Sequence, residues 1–350
     1  MPPKQEKETV LVSGASGFIA EHIIHQLLET NKYKIIGSVR TQNKADLLHK
    51  LFENTPDLSF VIVPDLSFPN AFDEAFIKIG DQLNYIFHTA SPFFVFSENP
   101  EKDLLIPAIN GTKAILEATV KYAFNVKKVI ITSSYAAVTT PEIDATSGEI
   151  ITEENWNPIT LGEGLQNGIK GYFASKTFAE KAAWDFIKEN NKVKFTLTTI
   201  LPTLVLGEQL FDQNIIPGKT LNTSAELVNR LVHSNIDTPI DNEIYGAYIS
   251  VQDVARSHLE VLFNNNLDGK RLLVSQGRYT LQTIIDIINI NFPTLRGKIA
   301  KGVRGTDTAK IASLATINNS VTKELLGFRF RNLESIIIGT VAQILKVIGK

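Results

Sequence analysis

Tyr172 and Lys176 are four residues apart in a segment with helical periodicity, so both side chains should lie on one face of a helix. Of the eight tyrosines in the chain, only Tyr172 has a lysine at this spacing. A nearby ammonium group favours the phenolate form of tyrosine, which makes the pair a candidate for proton transfer. A chance spacing on an ordinary helix is the alternative at this point.

A serine follows one of the apolar strand candidates. Ser134 comes shortly after the run Val129–Ile131, which is typical of a buried strand. Parallel α/β sheets bind their ligands beyond the carboxyl ends of the strands. The position therefore predicts that Ser134 belongs to a ligand site.

A glycine-containing turn near the N-terminus could hold a phosphate group. It joins the strand candidate Thr9–Val12 to a helical pattern. Gly14 permits the tight turn, Gly17 lets the backbone approach a pyrophosphate, and Ala20 keeps the helix close to the strand. The free N–H groups at the helix start favour an anion, although structural turns also produce such strings. The residues expected at this dinucleotide site are Gly14, Ser16, Gly17, Phe18 and Ile19.

The end of the second strand candidate indicates which dinucleotide fits. NAD sites usually place an acidic residue here, but no acidic residue occurs between Glu29 and Asp46. Arg40 and Lys44 could instead bind a 2′-phosphate, the arginine as a planar fork and the lysine as a point charge. Two solvated surface cations are the alternative. Together with the glycine motif, the pattern predicts NADP(H) as the cofactor.

Two residues after the third strand candidate stand where this architecture would place the adenine ring. These are Asp65 and Leu66. The assignment rests on position, and Asp65 could equally cap a helix.

The elements that must position these residues alternate regularly. Strand and helix patterns follow one another up to Pro202, which predicts a parallel sheet covered on both faces. After Pro202 the alternation weakens. We therefore predict an α/β fold with a Rossmann, doubly wound parallel sheet and a smaller C-terminal substrate-binding region. Residues 1–202 should form the NADPH-binding domain with the catalytic residues, and residues 203–350 the substrate-binding region, interleaved with the last strands.

Composition narrows the classes of protein. The chain has 350 residues, 43% hydrophobic, with 35 basic and 37 acidic side chains, which disfavours disorder and nucleic-acid binding. The absence of cysteine excludes disulfides, thiolate metal sites and cysteine nucleophiles. The six histidines show no metal-ligand spacing, so we expect no metal. No signal sequence or membrane span is evident, and we expect a cytoplasmic protein.

The combined motifs resemble the extended short-chain dehydrogenase/reductase family. Longer strings resemble its group of yeast NADPH-dependent methylglyoxal and 3-methylbutanal reductases, which are related to plant dihydroflavonol reductases. The resemblance covers almost the whole chain. It rests on the glycine motif, His88–Ser91, Asp103–Ala108, Asn110–Thr112, Thr132–Val138, Tyr172 with Lys176, Phe178–Trp184 and Leu325–Phe328.

The resemblance implies that the chain reduces a small carbonyl substrate with hydride from NADPH. Tyr172 would donate a proton to the carbonyl oxygen, and Ser134 would orient that oxygen. Lys176 would lower the pKa of Tyr172, together with the oxidised nicotinamide, and would bind the nicotinamide ribose. Asn110 would support Lys176 through water, unless it is only a polar helix residue or a turn cap.

Further positions follow from the resemblance or from their place in the chain. Val205 and Ser224 match cofactor positions near the nicotinamide and the adenosine phosphate. His88 and Ser133 are expected to be structural, with Ser133 bonded to backbone. The glycine-containing segment 140–170 is expected to form a mobile flap. Ala90 is expected at the cofactor, and the predicted substrate contacts are Phe93, Phe94, Tyr135, Thr203, Leu204 and Tyr248.

Two other functions remain open. The first is an NAD-dependent sugar-nucleotide epimerase or dehydratase, which Arg40 disfavours; the second is a non-catalytic NADP(H)-sensing protein, which the intact Tyr172 and Ser134 disfavour. The apolar pattern from Leu333 to Leu345 is interpreted as internal packing, with a homodimer as the alternative. Relatives often have Asn-Pro where this chain has Leu201-Pro202, so pocket shape and stereopreference cannot be transferred.

Overall fold

The computed structural model describes residues 6–91, 97–241 and 244–349. The chain divides into two compact units. Unit 1 comprises Met1–Thr140, Glu153–Leu201 and Ala255–Leu272; unit 2 comprises Pro141–Thr152, Pro202–Val254 and Leu273–Lys350. The chain thus passes between the units several times, and residues 255–272 belong with the N-terminal part of the sequence.

The strands fall into three sheets. Their bounds are β1 Glu8–Ser13, β2 Tyr33–Val39, β3 Leu58–Ile62, β4 Leu83–His88, β5 Lys128–Thr132, β6 Ile150–Ile151, β7 Thr196–Pro202, β8 Leu204–Leu206, β9 Tyr245–Ser250, β10 Arg271–Val274, β11 Gly277–Thr280 and β12 Thr316–Ile317.

The α-helices lie between these strands. Their bounds are α1 Phe18–Glu29, α2 Gln42–Leu51, α3 Asp73–Ile79, α4 Ile106–Tyr122, α5 Pro141–Asp144, α6 Leu161–Gly164, α7 Gly168–Glu189, α8 Thr223–Val232, α9 Val251–Phe263, α10 Leu281–Asn291, α11 Thr306–Ala312, α12 Ser320–Leu326 and α13 Leu333–Ile348. A π-helical turn, Glu101–Leu105, leads directly into α4.

The main sheet has seven strands in the order β10-β7-β5-β4-β1-β2-β3. The pairings β1–β2, β1–β4, β2–β3, β4–β5 and β5–β7 are parallel. The order reverses between β1 and β4, which is the position where doubly wound sheets bind ligands. The predicted Rossmann fold is therefore confirmed.

The central strands form because their side chains are buried on both faces of the sheet. Val10, Leu11 and Val12 of β1 have no exposed surface, and Ile86 and Phe87 of β4 are equally buried. A strand covered on both sides reads as a continuous apolar run, which is why the sequence predicts these elements well.

Unit 2 contains a smaller sheet in the order β11-β9-β8. β9 pairs with β8 in parallel and with β11 in antiparallel orientation. The apolar face of α13 is buried in the core of this unit, with Ile337 and Val341 fully covered. The interpretation of this helix as internal packing is therefore confirmed.

Candidate active site

Ser134 lies beyond the carboxyl end of β5, as its position in the sequence predicts. It begins the 3₁₀ turn Tyr135–Ala137, and its Oγ accepts a hydrogen bond from the backbone N–H of Ala136 at 3.1 Å. The side chain is largely buried. The turn therefore fixes both the backbone and the hydroxyl of Ser134.

Tyr172 and Lys176 lie on α7, one turn apart. The helix begins at Gly168 because the side chain of Asn167 accepts the backbone N–H of Lys170 at 2.9 Å. The structure brings the hydroxyl of Tyr172 to 3.3 Å from Ser134 Oγ. Lys176 Nζ lies 5.8 Å from the centre of the Tyr172 ring. The three residues predicted from sequence thus form one cluster in unit 1.

Burial shifts the pKa values of this cluster. Burial raises the pKa of Tyr172, and the hydrogen bond with Ser134 opposes the rise. Burial also lowers the pKa of Lys176 from 10.5 to about 8. Because desolvation is the largest influence on the phenol, the direction of this shift is opposite to the lowering by Lys176 that the resemblance implies. That lowering stays a prediction for the enzyme with its oxidised cofactor.

His88 is a structural residue of this region. Ser13 Oγ lies 2.9 Å from His88 Nδ1 and also accepts the backbone N–H groups of Thr89 and Ala90, each at 3.1 Å. Because these donors occupy both lone pairs, the hydroxyl of Ser13 must donate to Nδ1. Burial, with the nearby Lys176 cation, lowers the pKa of His88 to about 3. His88 is therefore neutral, with its proton on Nε2.

Asn110 lies on α4, where its amide donates to the backbone oxygen of Ser67 at 2.7 Å. This bond ties α4 to the segment that follows β3. A water-mediated link from Asn110 to Lys176 stays a prediction.

A cavity of about 400 Å³ opens where the sheet order reverses. Gly14 has φ +67°, and a Cβ atom there would lie 3.0 Å from Cα and Cβ of Ala90. Glycine is thus required for the loops after β1 and β4 to approach each other. The cavity is lined by Gly14, Ser16, Gly17, Ser38, Val39, Arg40, Thr41, Lys44, Val63, Leu66, Thr89, Ala90 and Ser91.

Most of the predicted cofactor residues of the N-terminal half line this cavity. Phe18 and Ile19 instead form the first turn of α1, directly after Gly17. Asp65 Oδ1 accepts the backbone N–H of Ser67 at 2.8 Å, and this bond is the main cause of its lowered pKa, with Arg40 contributing. Asp65 therefore closes a turn and does not cap a helix, since α3 begins only at Asp73.

The basic end of the cavity is built by the β2–α2 turn. Thr41 Oγ1 accepts the backbone N–H of Lys44 at 3.4 Å and so caps α2, which has no acidic residue in its first turn. Among the described residues, neither Arg40 nor Lys44 forms a hydrogen bond or ion pair through its charged group. The two cations and the helix N-terminus together suit a phosphate group.

The predicted positions of the C-terminal region lie in unit 2. Thr203 Oγ1 donates to the backbone oxygen of Val274 at 3.5 Å, and half-buried Leu204 and Val205 belong to β8. Ser224 is in the first turn of α8 and accepts a hydrogen bond from Asn222. Tyr248 lies in the unit 2 core, where its hydroxyl accepts the backbone N–H of Leu333 at 3.0 Å.

The remaining predicted positions are three aromatic substrate contacts and the segment expected to form a flap. Phe93 and Phe94 lie outside the described residues. Tyr135, half-buried, opens the turn after Ser134. The expected mobile flap contains closely packed glycines, since a Cβ on Gly164 would lie 2.4 Å from Ala174 Cβ and one on Gly171 would lie 2.5 Å from Pro100 Cβ. Gly164 is therefore packed against α7 and Gly171 belongs to that helix, whereas mobility of the segment 140–170 stays a prediction.

A buried ion pair that was not predicted from the sequence lies beside the cluster. Glu180, on α7, and Arg271, on β10, approach to 2.8 Å. Ser133 was expected to bond to backbone through its side chain, but its hydroxyl donates to Glu180 Oε2 at 2.7 Å. No local signal marks this pair, because Glu180 and Arg271 are 91 positions apart in the sequence.

Two further features bear on the class of site. The described residues contain no group of three histidine, aspartate or glutamate side chains arranged to hold a metal ion. In the same part of the chain, no helix has the length and hydropathy of a membrane span.

Comparison with known proteins agrees with the geometry. The family model of the 3-beta hydroxysteroid dehydrogenase/isomerase family matches residues 11–260. The NADPH-dependent methylglyoxal reductase of Saccharomyces cerevisiae is 45% identical over 344 residues, which cover 98% of this chain and 99% of that protein. A putative uncharacterized oxidoreductase of the same yeast is 47% identical over 340 residues, or 97% of this chain and 98% of that protein.

A solved structure shows the same fold along nearly the whole chain. It is the crystal structure of yeast methylglyoxal/isovaleraldehyde reductase complexed with NADPH. The TM-score is 0.93 at 45% identity, and the match covers 97% of this chain and 99% of that chain. The chain therefore belongs to the 3-beta hydroxysteroid dehydrogenase/isomerase family, within the extended short-chain dehydrogenase/reductases that its motifs resemble.

Proposed function

We propose that the chain is an NADPH-dependent carbonyl reductase. Its substrates are aldehydes, ketones and α-dicarbonyls of the methylglyoxal and 3-methylbutanal type, which it reduces to alcohols. The observation that carries the proposal is the 3.3 Å approach of the Ser134 and Tyr172 hydroxyls, with Lys176 beside the phenol ring. This cluster and the glycine-bordered cavity belong to the same unit.

The residues around the cavity fit NADPH. Gly14, whose backbone leaves no space for a side chain against Ala90, provides the close turn that a pyrophosphate requires. Arg40 and Lys44 would hold the 2′-phosphate, and Leu66 would contact the adenine ring. When bound, NADPH supplies the hydride that reduces the carbonyl carbon.

The side chains of the cluster supply the proton and the orientation. Negative charge develops on the carbonyl oxygen during reduction, and two hydroxyl donors at Ser134 and Tyr172 stabilise it there. Because burial raises the pKa of Tyr172, the phenol is protonated at neutral pH and can act as the proton donor. Lys176, with a pKa of about 8, is mainly charged at pH 7 and stabilises the phenolate that remains.

Other parts of this proposal rest on the resemblance. Val205 and Ser224 would contact the cofactor, and Tyr135, Thr203 and Leu204 would contact the substrate. Phe93, Phe94 and Tyr248 complete the set of proposed substrate contacts. A cytoplasmic location also belongs to the proposal, and the absence of cysteine is compatible with it.

A panel assay tests the function. The purified protein is mixed with aldehydes, diketones and aryl ketones, with either NADPH or NADH, and loss of reduced cofactor is followed by absorbance. We expect rapid turnover of several carbonyls with NADPH and slow turnover with NADH. Absence of turnover across the panel, or equal kcat/KM for both cofactors, would contradict the proposal.

A further inference from the structure

The carboxylate of Glu180 is a buried hydrogen-bond acceptor for several elements of unit 1. Its side chain has no exposed surface. Oε1 accepts from Thr199 Oγ1 at 2.8 Å, Trp184 Nε1 at 3.2 Å and Arg271 Nε at 2.8 Å. Oε2 accepts from Ser133 Oγ at 2.7 Å and from Arg271 Nη2 at 3.4 Å. Every partner donates to it, so both carboxylate oxygens of Glu180 act as hydrogen-bond acceptors.

Arg271 extends the connection to the turn that contains Ser134. Its Nη1 donates to the backbone oxygens of Glu153 and Asn155, each at 2.6 Å, and its Nη2 reaches the backbone oxygen of Ala137 at 3.5 Å. The guanidinium also stacks on the Trp156 ring, 3.7 Å from its centre. The arginine is thus held on several sides and cannot follow Glu180 if that carboxylate moves.

The contact from Ser133 links this network to the reactive cluster. Ser133 precedes Ser134, and Glu180 lies one helical turn after Lys176. The hydrogen bond from Ser133 to Glu180 therefore joins the segment after β5 to the helix that carries Tyr172 and Lys176. The residue after Ser133 is Ser134, whose hydroxyl lies 3.3 Å from that of Tyr172 on the same helix.

We propose that Glu180 is a positioning residue, which acts through Ser133 to hold the Ser134 hydroxyl in register with Tyr172. It touches neither substrate nor cofactor in this role. The inference rests on the proposed reductase function for its kinetic consequence, but its geometric consequence is independent of that function.

Replacement of Glu180 itself is a poor test, because it would leave Arg271 as a buried charge without its partner. Ser133→Ala is a more specific test, since it removes one hydroxyl donor to Glu180 and leaves the ion pair between Glu180 and Arg271 intact. Thr199→Val is the matched control, because it removes another hydroxyl donor to the same carboxylate, from the neighbouring strand β7, and leaves the Ser133 hydroxyl in place. Ser133→Thr restores a hydroxyl and serves as the rescue variant.

Kinetics distinguish positioning from general stabilisation. We expect Ser133→Ala to lower kcat by ~10- to 100-fold with nearly unchanged KM for NADPH, as expected for a misplaced reacting group. Thr199→Val should keep kcat within about twofold of the parent, although both variants lose thermal stability. Ser133→Thr should recover most of the lost kcat. Equal losses of kcat in Ser133→Ala and Thr199→Val, or no loss in either, would overturn the proposal.

Crystal structures of the same variants give a readout that needs no activity. In Ser133→Ala the Ser134–Tyr172 hydroxyl separation should exceed hydrogen-bonding distance, whereas Thr199→Val should keep it near 3.3 Å. An unchanged separation in Ser133→Ala would overturn the positioning role. Absence of carbonyl reduction by the parent protein would defeat the reductase assignment, and the measured separation would still decide the role of Glu180.

Discussion

Tyr172 and Lys176 share a buried environment that moves their pKa values in opposite directions. Burial disfavours both the phenolate and the ammonium, so it raises the pKa of Tyr172 and lowers that of Lys176. The resting site therefore holds a protonated donor beside a lysine that loses its charge at mildly alkaline pH.

Tyr172→Phe should remove turnover and leave NADPH binding nearly unchanged. The phenyl ring keeps the packing beside Lys176, but the proton donor is gone, so kcat should fall by ~10²- to 10⁴-fold. Steady-state kinetics measure the loss of kcat, and fluorescence titration with NADPH measures the affinity for the cofactor. Tyr122→Phe, which removes a hydroxyl that donates to Asp73, is the control and should keep its kcat. Retained turnover in Tyr172→Phe would exclude Tyr172 as the donor.

The dependence of kcat/KM on pH should follow the charge on Lys176. The lysine is charged below its pKa of about 8 and neutral above it, so kcat/KM for NADPH should be flat near neutrality and fall at higher pH. The measurement is kcat/KM for NADPH at saturating carbonyl substrate across this range. Lys176→Met has no titrating group at this position, so it should lose the fall of kcat/KM at higher pH together with most of the activity. A parent profile with no decline above about pH 8 would contradict the assignment.

The loss of folding stability at acid pH should depend on the protonation of His88. Its folded-state pKa of about 3 lies below the ordinary value of 6.5, so the neutral form stabilises the fold above 6.5. That stability is lost as pH falls from 6.5 towards 3, by ~1.4 kcal/mol per pH unit. His88→Asn can still accept the Ser13 hydroxyl, and urea unfolding at two pH values should show a smaller acid loss for it. Identical acid losses would show that His88 is not buried and neutral.

At the scale of elements, two turns of the main sheet distinguish this site. The β1–α1 turn brings Gly14 against Ala90, and the β2–α2 turn presents Arg40, Thr41 and Lys44 to the cavity. Each turn joins a buried strand to a helix N-terminus, which favours a phosphate. We therefore expect cofactor choice to depend on the second turn, and carbonyl chemistry on the side chains of α7.

Arg40→Ala should change the cofactor preference. Loss of the guanidinium should lower kcat/KM with NADPH by ~10- to 100-fold and have little effect with NADH, because only NADPH carries a 2′-phosphate. Lys50→Ala removes an exposed cation from the far end of α2 and controls for net charge. Steady-state kinetics with each cofactor give the ratio of kcat/KM with NADPH to kcat/KM with NADH. The same NADPH-to-NADH ratio in the parent and in Arg40→Ala would refute the 2′-phosphate assignment.

Elements with a regular apolar pattern could be predicted from the sequence. Short strands that form only by pairing with another short strand could not. β1 and β4 are continuous apolar runs, and α7 shows a clear helical period. β6 and β12 contain two residues each and pair only with each other, so no local pattern marks them. The first residues of α7, from Gly168, fall within the segment 140–170 that was expected to form a flap, because Asn167, which caps the helix, lies among glycines typical of a loop.

At the scale of the molecule, the reacting cluster and the cavity both belong to unit 1 although their residues are far apart in sequence. Local motifs identified Ser134, Tyr172, Lys176 and the glycine turn. The Glu180–Arg271 pair was not predicted, because residues 255–272 join this unit only through the tertiary fold. Spacing within one helix can be read from sequence, whereas a contact across 91 positions cannot.

NADPH should stabilise the whole protein more than NADH does. A ligand that binds only the folded state adds ~2.7 kcal/mol when its concentration is about one hundred times its Kd. Thermal unfolding with equal concentrations of each cofactor measures this without any turnover. We expect a higher Tm with NADPH, and this difference should shrink in Arg40→Ala. Equal Tm increases from both cofactors in the parent protein would contradict the predicted preference.

The central claim is hydride transfer from NADPH to a carbonyl carbon, and isotope transfer tests it most directly. The protein is mixed with methylglyoxal or 3-methylbutanal and with NADPH carrying deuterium at one face of nicotinamide C4, and the product is examined by mass spectrometry and NMR. The two C4 epimers are used in separate reactions. We predict that one epimer gives an alcohol with a single deuterium on the former carbonyl carbon and the other gives an unlabelled alcohol. No alcohol, or an unlabelled alcohol from both epimers, would contradict the account.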